Sequence, residues 1–423
     1  MMNQPTQTWQ RYLVGGAVRD QLLGLAAQDR DWVVVGATVE QMLAAGFQQV
    51  GADFPVFLHP ETHEEHALAR TERKSGTGYR GFAVHADPSV SLQDDLARRD
   101  FTINAIALSE AGEICDPWGG QADLKARQLR HVSPAFAEDP LRVLRAARLL
   151  AQLAPFGFRV APETQDLLMQ MTASGELSAL TPERVWQEMA KALQTNAPAL
   201  FFSSLREWGA LSVVLPEFDA LFGVPQTQAY HPEVDTGQHA LQALTRAAAL
   251  SDRLDVRYSV LCHDVGKALT NPTDLPGHRG HDARGVALVD QISQRLRVSN
   301  ALAQLARLTC RWHQVCHTLP DADPEQVLAM LQAFKPQTQP QALVGFGLAC
   351  RADVQGRSGF AHLPYPQADW LLPLAQCMLS VRPDTLNHPP APGPALGAAL
   401  QAERLVVLAA ALQRLQRGES VLR

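Results

Sequence analysis

Two groups of residues in this 423-residue chain have the types and spacing to do chemistry. The first is Asp29-Arg30-Asp31, which runs into the apolar stretch Trp32–Val35. On a strand, residues two apart share a face. Asp29 and Asp31 would therefore converge while Arg30 points away. Ahead of them, Tyr12–Val14 reads as a strand that ends in Gly15-Gly16, a pair that lets the backbone turn and approach a ligand closely. A helix from Ala17 would aim its free N–H groups at that turn, which suits a phosphate, and Arg19 adds a cation one turn in. Converging carboxylates beside a phosphate cradle suit Mg2+ carrying a nucleoside triphosphate. The second group is the ordered set His239, His263-Asp264, His281, His313 and Asp353. Each falls on its own helical segment, so they can meet in a bundle core. Imidazole plus carboxylate suits a transition metal that activates water. Taken singly, each piece is bland, because Gly turns, solvated Asp pairs and lone helical histidines are mostly structural.

The elements that must position the first group span residues 12–115, where short strand and helix signals alternate. Val39–Ala45 reads as a helix ended by Gly46; Phe47–Val50, Val56–Leu58 and His66–Ala69 read as strands. This is an α+β pattern, a small mixed sheet with helices. Of the acids on the neighbouring strands Glu65 is the best placed to join the aspartate pair, with Glu64 and Glu72 competing, and for each of them a solvated strand edge is the commoner role. Arg70–Tyr79 is basic and glycine-bearing, which fits a mobile loop near polyanions and equally a solvated hairpin tip.

Three more charged runs follow. Arg98-Arg99-Asp100-Phe101-Thr102-Ile103-Asn104 offers guanidinium donors that suit phosphate, and acid and amide groups that can sense hydroxyls. Asp123–Arg130 is a basic amphipathic piece. Asp139-Pro140 then opens a helix on which Asp139, Arg142, Arg145 and Arg148 fall three apart, with Leu144, Ala147 and Ala151 on the opposite, buried face. Arginine recurs there without acidic partners. Beyond it the chain reads as helical throughout: Ala161–Met171, a Thr181-capped helix, Ala199–Trp208, Val213–Phe222 and residues 324–380. Pro383–Pro394 is a linker before an Ala/Leu-rich helix, Leu396–Arg417, that should pack back on the body.

Hydrophobic residues make up 46% and charged residues 19%, so the chain is an ordinary globular one. A net charge of −6 excludes a uniformly basic nucleic-acid binder but not a local basic stripe. The six cysteines form no Cys-x-x-Cys pair and read as reduced thiols. With no apolar leader in Met1–Arg11 and no run of eighteen uninterrupted apolar residues, neither secretion nor a membrane span is expected, and the cytoplasm is the expected address.

Gly15-Gly16-Ala17-Val18-Arg19-Asp20 followed by Asp29-Arg30-Asp31 resembles the signature of class II tRNA nucleotidyltransferases. These are the CCA-adding enzymes and bacterial poly(A) polymerases of the DNA polymerase beta superfamily. Arg-Arg-Asp-Phe-Thr-Ile-Asn-Ala and Glu138-Asp139-x-x-Arg142-x-x-Arg145 match the second and the nucleotide-selecting motifs of that family. The resemblance implies that Asp29 and Asp31 bind catalytic Mg2+. It implies that Gly16, Arg19, Arg99, Asp100 and Asn104 hold the nucleotide, with Arg99 on the triphosphate. Asp139 and Arg142 would read the base edge, and Arg145 and Arg148 would hold nucleotide or phosphate. His263-Asp264 resembles an HD-superfamily phosphohydrolase. By that likeness His239, His263, Asp264 and Asp353 form one metal site, for a divalent transition metal such as Ni2+, and His281 and His313 complete a second position.

The implied architecture is an α+β nucleotidyltransferase head (1–137), a helical neck and body (138–230), an HD domain (231–340) and a helical tail (341–423). The implied reaction adds C, C and A to the 3′ end of tRNA from CTP and ATP. HD phosphatase, 2′-nucleotidase and 2′,3′-cyclic phosphodiesterase activities would accompany it. Competing readings are a poly(A) polymerase, an HD phosphohydrolase with a nucleotide-binding head, and a non-catalytic tRNA binder. A monomer or homodimer without a membrane partner is expected.

Overall fold

A computed structural model of the chain describes residues 9–26, 30–50, 56–74 and 82–421. Asp29 and the tip of the basic loop, residues 75–81, lie outside the described residues. Two compact units divide at residue 180: Met1–Leu180 and Thr181–Arg423.

The first unit is the expected mixed sheet with helices. Its elements are β1 (Gln10–Val14), α1 (Gly16–Leu22), β2 (Asp31–Val35), α2 (Val39–Ala44), β3 (Gln48–Val50), β4 (Val56–Leu58), β5 (Glu65–Leu68), β6 (Arg70–Lys74) and β7 (Phe82–Ala86). There follow α3 (Leu92–Ala97), β8 (Ala107–Ser109), β9 (Ile114–Cys115), α4 (Gly120–Ala126), β10 (Gln128–Leu129), α5 (Leu141–Leu153), β11 (Arg159–Val160) and α6 (Pro162–Ala173). Seven strands form one sheet in the order β3-β4-β5-β2-β1-β8-β9. Only β2 and β5 pair in parallel within it. Both faces are covered, as alternation along β2 makes plain. Val33 packs with Val14, Val90, Leu96 and Ala105 on one side; Val34 packs with Met42, Phe47, Phe57 and Leu68 on the other. Local signals set the helix starts: Thr38 with Gln41, and Ser91 with Asp94, form reciprocal capping boxes on α2 and α3.

The basic stretch starts as one strand of a hairpin, Arg70–Lys74 pairing antiparallel with Phe82–Ala86, in line with the hairpin alternative. Within the basic piece 123–130 the helix α4 ends at Ala126, where Arg127 takes a left-handed φ of +57° and turns the chain into β10.

The second unit is helical: α7 (Pro182–Leu193), α8 (Pro198–Glu207), α9 (Leu211–Val214), α10 (Pro216–Asp219), α11 (Thr236–Leu250), α12 (Leu254–Cys262), α13 (His281–Arg295), α14 (Asn300–His317), α15 (Pro324–Ala333), α16 (Pro340–Gly356), α17 (Gln367–Ser380) and α18 (Pro394–Gln416). Val213–Phe222 is not one helix. Leu215, at φ −143° and ψ 66°, leaves the helical region ahead of Pro216, as a residue before proline tends to do. Thr181 stands at the N-cap of α7 but its side chain makes no capping hydrogen bond. The helix α16 packs on α11, α12, α14 and α17, so residues either side of 340 belong to one bundle. By length and composition α18 could cross a membrane, a feature that the count of uninterrupted apolar residues passed over. Its Leu408, Ala411, Leu412 and Leu415 are buried with residues of α15 and α17, whereas Val406 is 63% exposed. All six cysteines are free thiols and five are buried.

Candidate functional site

In the first unit the polar residues gather around the end of β1. Val14 pairs with Asp31 across the strands, and Asp31 pairs on its other side with Glu65. Directly opposed residues share a face, so Glu65 stands beside Asp31, and both are exposed. Glu64 is turned to other work, accepting from Trp32 Nε1 at 2.8 Å and pairing with Arg30 at 3.4 Å. The side chain of Glu72 lies outside the described residues. By strand alternation Asp31 lies on the face of Val33, which packs against α3.

Gly15 follows at once, with φ +73°, a conformation that favours glycine. A Cβ there would stand 3.3 Å from Arg99 Nη1, so the absence of a side chain lets that guanidinium lie against the turn. Arg99 is held by Asp95, which is 1% exposed and accepts its Nη2 at 3.2 Å, Arg98 Nε at 3.5 Å and the Arg70 backbone N–H at 3.3 Å. Arg19 is buried rather than open. It donates Nε to Asp20 at 2.8 Å and Nη1 to the Asn104 side-chain oxygen at 2.9 Å. Asn104 donates in turn to Asp100 at 3.2 Å. Asp100 also accepts the Phe101 N–H at 2.9 Å and Arg145 Nε at 2.8 Å. Burial alone would raise the Asp100 pKa, but the Arg145 charge and hydrogen bond outweigh it and hold the carboxyl well below its usual range.

On α5 the stripe Arg142, Arg145, Arg148 is half-buried, and Leu144, Ala147 and Ala151 are buried as expected. Arg142 donates to two backbone carbonyls, Arg98 at 2.7 Å and Ala135 at 3.0 Å, and lies over the Phe136 ring. It thus caps the end of α3. Asp139 accepts the Leu141 N–H at 3.0 Å at the start of α5, and Arg148 reaches Gln152 at 3.3 Å. Sequence reasoning gave no role to Asp95 or Asp20. The signal for Asp95 was present: an acid three and four residues before two arginines on a helix.

The second unit brings its histidines together. Asp235 caps α11 and accepts the Gln238 N–H at 2.8 Å, setting His239 one turn in. The helix α12 ends at His263, and Asp264 opens the turn Val265–Leu269. That turn is pressed onto α13: a Cβ on Gly266 would meet the His281 carbonyl oxygen at 2.0 Å. His313 and Asp353 come from α14 and α16. The six side chains are between 0% and 8% exposed. Asp353 Oδ1 lies 3.0 Å from His239 Nε2 and 3.8 Å from His263 Nε2. Asp264 faces both halves of the cluster. Its Oδ2 is 3.2 Å from His263 Nε2; its Oδ1 is 3.2 Å from His281 Nε2 and 3.6 Å from His313 Nε2.

Three of the rings are oriented by backbone carbonyls. Nδ1 of His263 donates to Val260 at 2.7 Å, that of His281 to His278 at 2.8 Å and that of His313 to Cys310 at 2.9 Å. With Nδ1 bound to a carbonyl, it is the Nε2 of each ring that faces inward, offering a lone pair when the ring is neutral. His281 Nε2 and His313 Nε2 are only 3.1 Å apart, a separation that needs a proton or a metal between or beside them. His263 Nε2 and Asp264 Oδ1 are buried without a hydrogen-bond partner. The donor set and these orphaned atoms fit divalent metal, in two groups of three: His239, His263 and Asp353; Asp264, His281 and His313. Without metal, burial would lower the His263 pKa, but Asp264 and Asp353 outweigh it and raise it to about 9. Burial, then His281, pushes His313 well below the ordinary imidazole value.

Three neighbours went unassigned in the sequence reading. His317 Nε2 donates to Asp353 Oδ2 at 2.6 Å, and its Nδ1 lies 2.8 Å from the Tyr365 hydroxyl. Lys267 is 2.7 Å from Asp264 Oδ2 and donates to Gln226 at 2.9 Å. Glu233 Oε1 lies 2.8 Å from His239 Nδ1, off the line of a formed hydrogen bond, and 3.2 Å from His231 Nδ1. Its other oxygen accepts the Ser358 N–H at 3.2 Å. His317 lies one turn after His313 and Glu233 six residues before His239, so only their spacing hinted at a part.

Family models match three stretches: poly A polymerase head domain over residues 11–130, "Probable RNA and SrmB- binding site of polymerase A" over 157–222, and HD domain over 236–328. The multifunctional CCA protein of Thioalkalivibrio sulfidiphilus is 55% identical over 398 residues, 94% of this chain and 97% of that protein. Among solved structures, the Bacillus stearothermophilus CCA-adding enzyme in complex with CTP aligns with a TM-score of 0.64 at 24% identity, covering 97% of this chain and 94% of the other. The Thermotoga maritima CCA-adding enzyme complexed with tRNA aligns with a TM-score of 0.58 at 19% identity, covering 97% and 88%. The shared fold, the three matched stretches in order and the identity along almost the whole length lead to one conclusion: the chain belongs to the class II CCA-adding tRNA nucleotidyltransferases, in the bacterial form that carries a fused HD domain.

Proposed function

We propose that this protein builds and repairs the 3′-terminal CCA of tRNA from CTP and ATP, releasing pyrophosphate, and that its HD domain hydrolyses phosphoesters. What carries the first reading is the gathering of Arg99, Arg19, Asn104 and Asp100 at the Gly15-Gly16 turn, on the strand next to Asp31. Asp29 and Asp31, with Glu65 as the third carboxylate, would hold Mg2+, a hard cation suited to an all-oxygen site. When bound, it supplies neutralisation of the triphosphate and a lowered pKa for the attacking 3′-hydroxyl. Arg99, fixed by Asp95, offers its planar donors to the phosphates. Gly15-Gly16 keeps the backbone close to them. Asn104 and Asp100 face the ribose. Asp139 and Arg142 select the base, acceptors and donors together copying C or A edges. For this, Arg142 must exchange a carbonyl partner for the base. Arg145 and Arg148 hold the nucleotide from α5.

In the second unit His239, His263, Asp264 and Asp353 would hold one divalent transition metal, with Ni2+ our choice, and His281 and His313 a second with Asp264 shared. Such a metal supplies an activated water and a Lewis acid for the phosphoryl oxygens. The protein orients the rings through carbonyls of residues 260, 278 and 310 and keeps the cluster dry. The activities expected are phosphatase, 2′-nucleotidase and 2′,3′-cyclic phosphodiesterase, which would clean damaged tRNA ends. We place the functional divisions at 1–137, 138–230, 231–340 and 341–423, with Asp353 reaching the HD site from beyond residue 340. The protein would work in the cytoplasm as a monomer or homodimer. Extension of a tRNA lacking its 3′ CCA, with labelled CTP and ATP, tests the proposal. Incorporation of ATP alone, repeated along the end, would favour a poly(A) polymerase instead.

A further inference from the structure

The rim of the histidine cluster differs from its floor. The floor, His239, His263, Asp264 and His313, is at most 2% exposed; the side chains of Arg357, His231 and His317 are 15%, 12% and 12% exposed. These three are the groups around the cluster that solvent reaches most. Among them only arginine carries a permanent positive charge. Arg357 follows α16 directly, four residues after Asp353, and its Nη2 stands 3.6 Å from Asp353 Oδ1. That oxygen is the one aimed at His239 and His263. Its Nε is buried without a hydrogen-bond partner among the described residues. Lys267, the other cation at the cluster, is committed to Asp264 and Gln226 on the inside. The backbone beside Arg357 is fixed too, since the Ser358 N–H is bound by Glu233, whose other oxygen lies against His239.

We propose that Arg357 is the anion-binding residue of the HD site, holding a phosphoryl group of the substrate, or inorganic phosphate, against the metal centre. The inference rests on the phosphohydrolase reading of that site. Once Asp353 Oδ1 serves a metal, its long contact with Arg357 weakens, and the guanidinium needs new acceptors. Two phosphoryl oxygens match its planar fork, which neither a lysine ammonium nor a neutral imidazole can do. A phosphomonoester presents more such oxygens than a diester, so Arg357 would favour terminal phosphates.

The test uses the full-length protein loaded with Ni2+ and titrated with inorganic phosphate in a calorimeter. Arg357→Gln should weaken phosphate binding about tenfold, the scale of one charged hydrogen-bond pair. Arg357→Lys should fall between the two. Metal content, measured by atomic absorption, should stay at the wild-type level in both, and CCA addition should not change. With p-nitrophenyl phosphate as substrate, the Gln variant should show a KM raised about tenfold with kcat changed less. Equal phosphate affinity in wild type and Arg357→Gln would overturn the proposal, as would loaded wild type that binds no phosphate. Loss of metal in the Gln variant would do so too, by making the role structural. Arg357-dependent phosphate binding in a wild type that hydrolyses no phosphoester would instead refute the hydrolase reading and leave the anion site standing.

Discussion

The head and the histidine cluster both rest on aspartates, and the two kinds of aspartate live in opposite surroundings. Asp31 is exposed at the start of a strand, beside another exposed carboxylate, Glu65. Asp264 and Asp353 are 2% and 3% exposed and surrounded by imidazoles. An open, all-oxygen site suits an ion that keeps part of its water shell, as Mg2+ does. A dry site with nitrogen donors favours a transition metal. The surrounding cations differ likewise. In the head, buried acids fix arginines in place: Asp95 for Arg99, Asp100 for Arg145. In the cluster, carbonyl oxygens hold the Nδ1 atoms so that the Nε2 atoms face inward. On the reading proposed above, one region would meet a polyanion and the other would hold a metal.

The largest expected effect tests whether the two regions do separate chemistry. Asp31→Ala should lower addition of both C and A by about 1,000-fold, the scale of lost electrostatic stabilisation at a reacting centre. It should leave hydrolysis of p-nitrophenyl phosphate unchanged. Asp264→Ala should do the reverse. If Asp264→Ala removed nucleotide addition while circular dichroism and melting stayed at wild type, the separation would be wrong.

A smaller effect asks whether the cluster depends on carboxylates outside its ligands. Glu233→Gln should weaken metal binding by roughly 10- to 100-fold, as loss of a partner behind a ligating histidine does. Equilibrium dialysis with Ni2+ reads it directly. An unaltered affinity would leave Glu233 with no part beyond holding Ser358.

Base selection comes next. Asp139→Ala and Arg142→Ala should each cost about tenfold or more in the preference for CTP and ATP over UTP and GTP, because a base edge loses its partner. The two should differ in stability. Arg142 also binds the Arg98 and Ala135 carbonyls, so its removal should lower the melting temperature more than removal of Asp139. Unchanged selectivity with a lower rate would reassign both residues to phosphate contact or bracing.

The smallest effect is a proton. The folded His263 pKa is raised from 6.5 to about 9, so the metal-free ring is charged at pH 7. Its pairing with Asp264 and Asp353 stabilises the metal-free fold fully below 6.5, and that contribution is lost as pH rises through 9. Metal must expel the proton, so affinity should climb with pH up to about 9 and then level. Calorimetry in buffers of different ionisation enthalpy should find about one proton released per metal at pH 7. Release of none would mean that the ring is neutral before metal arrives.

Much of this was written in the chain itself, because it depends on local rules. The Gly15-Gly16 turn, the alternation along the strand of Asp31, the three-residue spacing of Arg142, Arg145 and Arg148, and the His263-Asp264 pair after an apolar run need only backbone geometry and residue type, although the helix α12 ends before Asp264 rather than running through it. What tertiary structure alone decided was which charges are already spent. Arg19, a cation one turn into α1, is held in place by Asp20 and Asn104, and Arg142 donates to the Arg98 carbonyl at the end of α3. Glu65 was separated from Glu64 by register, because only strand pairing says which carboxylate lies opposite Asp31. The rim position of Arg357 and the second-layer places of His317 and Glu233 arise where helices distant in sequence pack together. Burial and pairing are properties of neighbours in space, and no spacing along one segment can specify them.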